Sequence, residues 1–273
     1  MTDRDGQPVH ALFGFARFLG DLIERAQPEY LAVALDESLT SSFRNRIYPA
    51  YKANRDPAPP DLLAQFARCR EFCGHLGVAS FSSNEYEADD IIGTLHARFR
   101  ERGLRATVVT RDKDMAQLIR EGDVYWSYTD NPQLRHHQIE EHFGVPPERF
   151  ADYLALTGDA VDNIKGVPGV GPKTASVLMK EYVSLEELYD NLDAVASLPI
   201  RGAAKLPQRL AEHREAAFLA RRLTEIARDM PLAVEPAQLR RRPPDLTALG
   251  EFFDRQNFGP MLRRQSERLA RLA

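Results

Sequence analysis

The sequence predicts an α/β fold: a mostly parallel sheet flanked by helices, followed by a helical region. Three observations carry this reading. The continuous apolar run at 31–35 reads as a strand buried on both faces, as in parallel sheets. Strand-like runs alternate with stretches of helical apolar spacing as far as about residue 130. Past about residue 132 the pattern changes to helices and turns.

Element by element, residues 1–8 are polar and turn-like. Val9, Leu12, Phe13, Ala16, Leu19 and Ile23 then recur at helical spacing and define an amphipathic helix over 9–25. The strand at 31–35 ends in Asp36. Segment 38–60 carries Arg44, Arg46, Tyr48, Tyr51, Lys52 and Arg55, is interrupted by Pro49, and closes on Pro57, Pro59 and Pro60. A helix over 61–76 and a strand over 77–81 come next. Ala88, Ile92, Leu95 and Phe99 form one face of a helix ending near Gly103. The strand at 106–110 has Asp112 and Asp114 just beyond it, and 124–128 is the next. Helical patterns cover 150–156, 184–192 and 206–227. A glycine-rich turn at 166–171 opens another helix that runs to Tyr182, and the tail from Leu239 is rich in arginine.

At 273 residues and 43% hydrophobic, the chain can bury a real core and is long enough for two domains. Its formal charge of −4 gives no global attraction to nucleic acid, so any such binding comes from local basic patches. Cys69 and Cys73, the only cysteines, read as two small buried residues on one helix face, and so low a count suits a reducing cytoplasm. No apolar run approaches ~18 residues and no signal-peptide pattern occurs, so a soluble protein without a membrane partner is expected.

Chemistry collects in three acidic stretches: 85–90 with Glu87, Asp89 and Asp90; 112–114 with Asp112 and Asp114; and 159–162 with Asp159 and Asp162. Each follows a strand or opens a helix, and open α/β sheets bind ligands beyond the carboxyl ends of their strands. Helix-dipole and capping roles account for any one stretch alone. If the stretches converge, so many like charges need a counter-charge, which oxygen-bound divalent cations supply. Gly166-Val-Pro-Gly-Val-Gly-Pro-Lys-Thr looks like the hairpin of a helix-hairpin-helix element, in which Gly166, Gly169, Gly171, Lys173 and Thr174 approach a phosphate backbone; the alternative is an ordinary helix connection. The basic, aromatic segment around Arg44 to Arg55 suits single-stranded nucleic acid, with tyrosines stacking and cations holding phosphates, against a solvated loop. His136, His137 and His142 receive no role.

The order of Asp36, Ser42-Phe43-Arg44, Tyr51-Lys52-Ala53-Asn54-Arg55, Tyr86-Glu87-Ala88-Asp89-Asp90, Asp112-Lys113-Asp114, Thr157-Gly158-Asp159 and Asp162-Asn163, then the glycine turn, resembles the 5′-nuclease family. This is the family of flap endonucleases and of the N-terminal domain of bacterial DNA polymerase I. The resemblance covers about residues 6–231. It implies a PIN-like nuclease domain over 1–131 and a helical DNA-binding domain of helix-hairpin-helix (H2TH-like) type over 132–232; by its composition 233–273 reads as an Arg-rich C-terminal extension. It further implies two Mg2+ or Mn2+ ions. Asp36, Glu87 and Asp89 would serve the first, with Asp90 close by; Asp112, Asp114 and Asp162 would serve the second, with Asp159 in support. Lys52 and Arg55 would act at the reacting phosphate; Arg44, Tyr51 and Lys113 would bind DNA. The segment from Arg44 to Arg55 matches an arch that the 5′ single strand threads, and the glycine turn matches a loop that holds K+ against duplex DNA. The expected substrate is DNA with a 5′ flap, nick or 5′ single-stranded end, including an RNA primer. The resemblance implies a stand-alone, monomeric bacterial protein of the cytoplasm, acting in replication and repair.

The N-terminus departs from this pattern. Relatives begin with a hydrophobic strand ending in Val-Asp-Gly, whereas Gly6-Gln7-Pro8-Val9 already matches the residues just after that strand, and Asp3 and Asp5 lie in a polar stretch. The expectation is a weakened first metal site and impaired activity. A non-catalytic module binding branched DNA is therefore the alternative function, and a PIN-type ribonuclease the third.

Overall fold

The computed structural model describes residues 1–37, 40–130 and 132–272. In chain order the elements are α1 (His10–Ala26), β1 (Ala32–Asp36), α2 (Phe43–Ile47), α3 (Pro60–His75), β2 (Ala79–Ser83), α4 (Ala88–Glu101), β3 (Thr107–Val109), β4 (Val124–Trp126) and β5 (Gln133–Arg135). Next come α5 (His136–Phe143), α6 (Phe150–Thr157), β6 (Gly158–Asp159), β7 (Ile164–Lys165), α7 (Pro172–Glu181), α8 (Leu185–Asp190) and α9 (Leu192–Val195). The chain closes with α10 (Leu206–Glu212), α11 (Arg214–Thr224), α12 (Pro236–Leu239), α13 (Leu246–Arg255) and α14 (Pro260–Ala270). Two compact units result. Met1–Glu37, Asp56–Ala88 and Pro231–Ala273 make the first; Ser38–Arg55 and Asp89–Met230 make the second.

In the first unit β1 runs parallel to β2, in register from Ala32↔Ala79 to Asp36↔Ser83. Among the described residues β1 has this single strand neighbour, and Ala32 through Leu35 are only half-buried. The expected full burial on both faces is therefore not realised. The apolar face of α1 packs on α3, burying Leu12, Ala16, Leu19 and Ile23. The side-chain oxygen of Gln65, itself fully buried, accepts the N–H groups of Ala11 and Leu12, which lack partners in the first turn of α1.

The Arg-rich tail proves to be core. α14 packs on α1 and α13 on α3, with the Phe72 ring 6.0 Å from Phe252 and 6.3 Å from Phe253. Its arginines are largely the solvated side of two amphipathic helices; Arg268, for example, pairs with Glu24 on α1. Asp3, also in this unit, is buried against Arg68 and accepts the N–H groups of Asp5 and Gln7. Burial works to raise its pKa, but these hydrogen bonds and Arg68 hold it below the usual carboxylate range.

In the second unit β3 and β4 are parallel and β5 returns antiparallel, from a segment the sequence showed only as turn. α6 packs against both α7 and α11. The helix expected over 206–227 is two helices broken at His213, whose φ of −112° and ψ of 20° leave helical geometry. The short β6–β7 hairpin joins α6 to the glycine turn. Here Gly158 and Gly166 press backbone on backbone: a Cβ at Gly166 would lie 2.3 Å from the Gly158 nitrogen and 2.4 Å from the Leu156 carbonyl oxygen. That contact, rather than an approach to phosphate, accounts for glycine at 166. Val167 and Val170 are buried and anchor the turn, and Gly171 caps α7, with Pro172 at the first helical position.

Candidate active site

Within the second unit, the acidic groups gather just past β3. The Thr110 hydroxyl accepts the N–H of Asp112, and Asp112 Oδ1 accepts the N–H of Asp114 at 2.9 Å. This turn starts a 3-10 helix over Lys113–Leu118, whose buried Met115 and Leu118 fix it to the core. Lys113 Nζ then stands 3.2 Å from Asp114 and 3.0 Å from Asp159. The lysine expected on DNA is thus turned onto two carboxylates and supplies their counter-charge. Burial opposes the ammonium, yet Asp114 and Asp159 push the Lys113 pKa up.

Asp114 is the stressed member. Burial, reinforced by Asp112 and Asp159 and only partly offset by Lys113, raises its pKa to about 6. Its Oδ1 is buried and faces the Lys113 ammonium at 3.2 Å. Asp159, by contrast, has both oxygens occupied: Oδ1 accepts the N–H groups of Val161 and Asp162, and Oδ2 takes Lys113. Despite burial, those donors hold its pKa below the usual range.

Asp162 meets the basic, aromatic segment. It pairs with Arg55, accepts the Tyr51 hydroxyl at 3.2 Å, and stands 3.9 Å from Lys52 Nζ. Backbone contacts reinforce the docking: the Lys52 N–H donates to the Asp162 carbonyl, and the Asn163 side chain donates to the Ala50 carbonyl. The segment expected to arch is therefore seated on the 160–163 loop. Tyr51 is 3% exposed, which corrects its assignment as a base-stacking ring.

Asp90 and Arg44 also change roles. Their side chains are 0% and 3% exposed and form a two-pronged ion pair at 2.7 and 2.8 Å. Arg44 further donates to the carbonyls of Leu223 and Glu225, and Asp90 accepts the N–H of Ala227. The expected metal neighbour and DNA-binding cation instead tie α2 and α4 to the end of α11. Only their separation by forty-six positions concealed this pairing in the sequence.

In the first unit, Asp36 at the end of β1 is exposed and accepts the N–H of Ala88 at 2.7 Å, capping the start of α4. Glu87 is buried there; Asp89, which belongs to the second unit, is half-buried on the first turn of α4. Among the described residues no three His, Cys, Asp or Glu side chains stand close enough together to hold a metal ion. The feature that fits a hard cation is the repulsion around the buried Asp114 carboxylate, which Lys113 only partly offsets and an oxygen-seeking ion would relieve. Within the glycine turn Gly169 has a φ of +75°; just past it Lys173 is exposed and Thr174 is half-buried.

Comparison with known proteins agrees along most of the chain. A family model for the 5′-3′ exonuclease N-terminal resolvase-like domain matches residues 1–144, and one for the 5′-3′ exonuclease C-terminal SAM fold matches 145–247. The 5′-3′ exonuclease of Buchnera aphidicola is 31% identical over 235 residues, covering 86% of this chain and 82% of that protein. The thermostable DNA polymerase I of Thermus filiformis is 37% identical over 262 residues, or 96% of this chain, which spans only 30% of the polymerase. In fold, the T5 D15 protein co-crystallised with metal ions aligns with a TM-score of 0.66 at 20% identity, covering 96% of this chain and 92% of that one. The catalytic core of Rad2 in complex with DNA substrate aligns at 0.63 and 14% identity, covering 100% and 87%.

Proposed function

Because the chain belongs to the 5′-3′ exonuclease family, we propose that it hydrolyses phosphodiester bonds in DNA near the junction of a 5′ single strand with duplex. The observation that carries this is the strained carboxylate Asp114 beside Asp112 and Asp159, at the carboxyl end of β3. By family resemblance, Asp112, Asp114 and Asp162 would hold one Mg2+ or Mn2+ ion with Asp159 supporting, and Asp36, Glu87 and Asp89 a second. Ions so held lower the pKa of water and neutralise charge on the phosphate. Lys113 favours the ionised forms of Asp114 and Asp159. Lys52 and Arg55, seated against Asp162, bring cations to the scissile phosphate. Gly169, Gly171, Lys173 and Thr174, at the exposed start of α7, would hold the duplex backbone, with K+ at the turn.

The test is a 5′-flap DNA assay with Mg2+ or Mn2+. Cleavage that stops on chelation, and that Asp112→Asn with Asp114→Asn abolishes while flap binding persists, is the expected result. Flap binding with no metal-dependent cleavage by the unaltered chain would overturn it and identify a branched-DNA-binding module instead. A matched RNA flap separates the ribonuclease reading.

A further inference from the structure

The second unit contains a cleft of about 550 Å3 that the catalytic reading does not use. Its volume is that of a small-molecule site. Phe43, Ile47 and Ile226 give it an apolar wall, and Arg120, Arg222 and Arg228 also line it. Two of these arginines are crowded together. Arg120 Nη1 donates to the Gln117 carbonyl at 3.0 Å and Arg228 Nη2 donates to the same oxygen at 2.9 Å. One neutral carbonyl thus draws two guanidinium ions together. Arg228 is exposed over the residue as a whole, but partial desolvation of its head group and then Arg120 hold its pKa below its ordinary value.

The nearby acids offset this only in part: Glu225 and Glu148 favour the charged Arg228, and Glu148 and Asp123 the charged Arg120, yet both pKa values stay lowered. Glu148 is 3.9 Å from Arg120 but 2.7 Å from His136, its closer partner. Glu225 and Asp229 line the cleft with exposed side chains. Gln117 holds the arrangement rigid: its side chain donates to the Thr224 carbonyl and accepts the Ile226 N–H.

We infer that this cleft binds a phosphate ester of nucleotide size, with its phosphate between Arg120 and Arg228. Guanidinium ions pair with phosphate oxygens through parallel hydrogen bonds, and a phosphate between them replaces repulsion with attraction. The apolar wall suits a base or sugar, and the solvated carboxylates of Glu225 and Asp229 can accept base N–H groups. The phosphate has two sources, a free mononucleotide or the backbone of bound DNA. The inference stands apart from the nuclease reading, since it is read by binding without turnover.

The experiment is calorimetric titration of the full chain with dGMP, with inorganic phosphate as the reference anion, alongside flap-DNA binding over a salt series in EDTA. Arg228→Gln is the main variant and Arg120→Gln the second, each checked for an unchanged thermal midpoint. Saturable dGMP binding that either variant weakens about tenfold supports the free-nucleotide source. DNA binding whose salt slope falls by about one on Arg228→Gln, without dGMP binding, supports the backbone source. No dGMP binding with an unchanged DNA salt slope overturns the inference, as does dGMP binding that both variants leave intact.

Discussion

Asp114 and Asp159 flank one lysine ammonium yet are driven in opposite directions. Asp114 is raised from 3.8 to about 6 by burial and its acidic neighbours, so the folded chain holds its proton more tightly than the unfolded chain. Its contribution to stability therefore falls as pH rises from about 4 to about 6. Asp159 is lowered, so its contribution is present above the ordinary carboxylate range and is lost on acidification. Asp114→Asn should stabilise the protein in EDTA at pH 8 by about 1–3 kcal/mol and by almost nothing at pH 4, read by urea unfolding. An equal gain at both pH values would refute the electrostatic origin. Arg44 makes the opposite case. Arg44→Ala leaves Asp90 charged and buried, and should cost about 3–5 kcal/mol in the same assay.

Among the elements, the glycine turn holds two kinds of residue that look alike in sequence. Gly166→Ala drives a methyl group into backbone atoms at 2.3–2.4 Å, none of which is a flexible side-chain end. It should destabilise the second unit by more than about 2 kcal/mol, seen as a lowered denaturation midpoint. Lys173→Ala, on the exposed first turn of α7, should leave stability within about 0.5 kcal/mol of the parent and reduce the salt slope of DNA binding by about one. The C-terminal helices show how a composition misleads. Their arginines suggested an extension, but Phe252, Phe253, Leu262 and Leu269 at helical spacing are the informative residues, and all four are buried.

For the whole molecule, the decisive prediction couples the basic segment to catalysis. Changing Lys52 and Arg55 to Ala should slow flap cleavage at saturating DNA more than about tenfold, while binding keeps a steep salt dependence from the remaining phosphate contacts. A loss confined to binding would return the segment to a simple anchoring role. Apolar periodicity and ordered short motifs are local properties of a chain. The fold class, the alternation of strands and helices through β4, the family, the acidic stretches and the glycine turn were therefore all legible in the order of residues alone. Which of those charges face one another was not legible, and it took the folded chain to decide it. Folding paired Arg44 with Asp90, turned Lys113 onto Asp114 and Asp159, seated Arg55 on Asp162, and crowded Arg120 against Arg228. Burial and Coulomb energy depend on distance in space, so a charge reads the same in sequence whether it meets solvent, a counter-ion or another charge of its own sign.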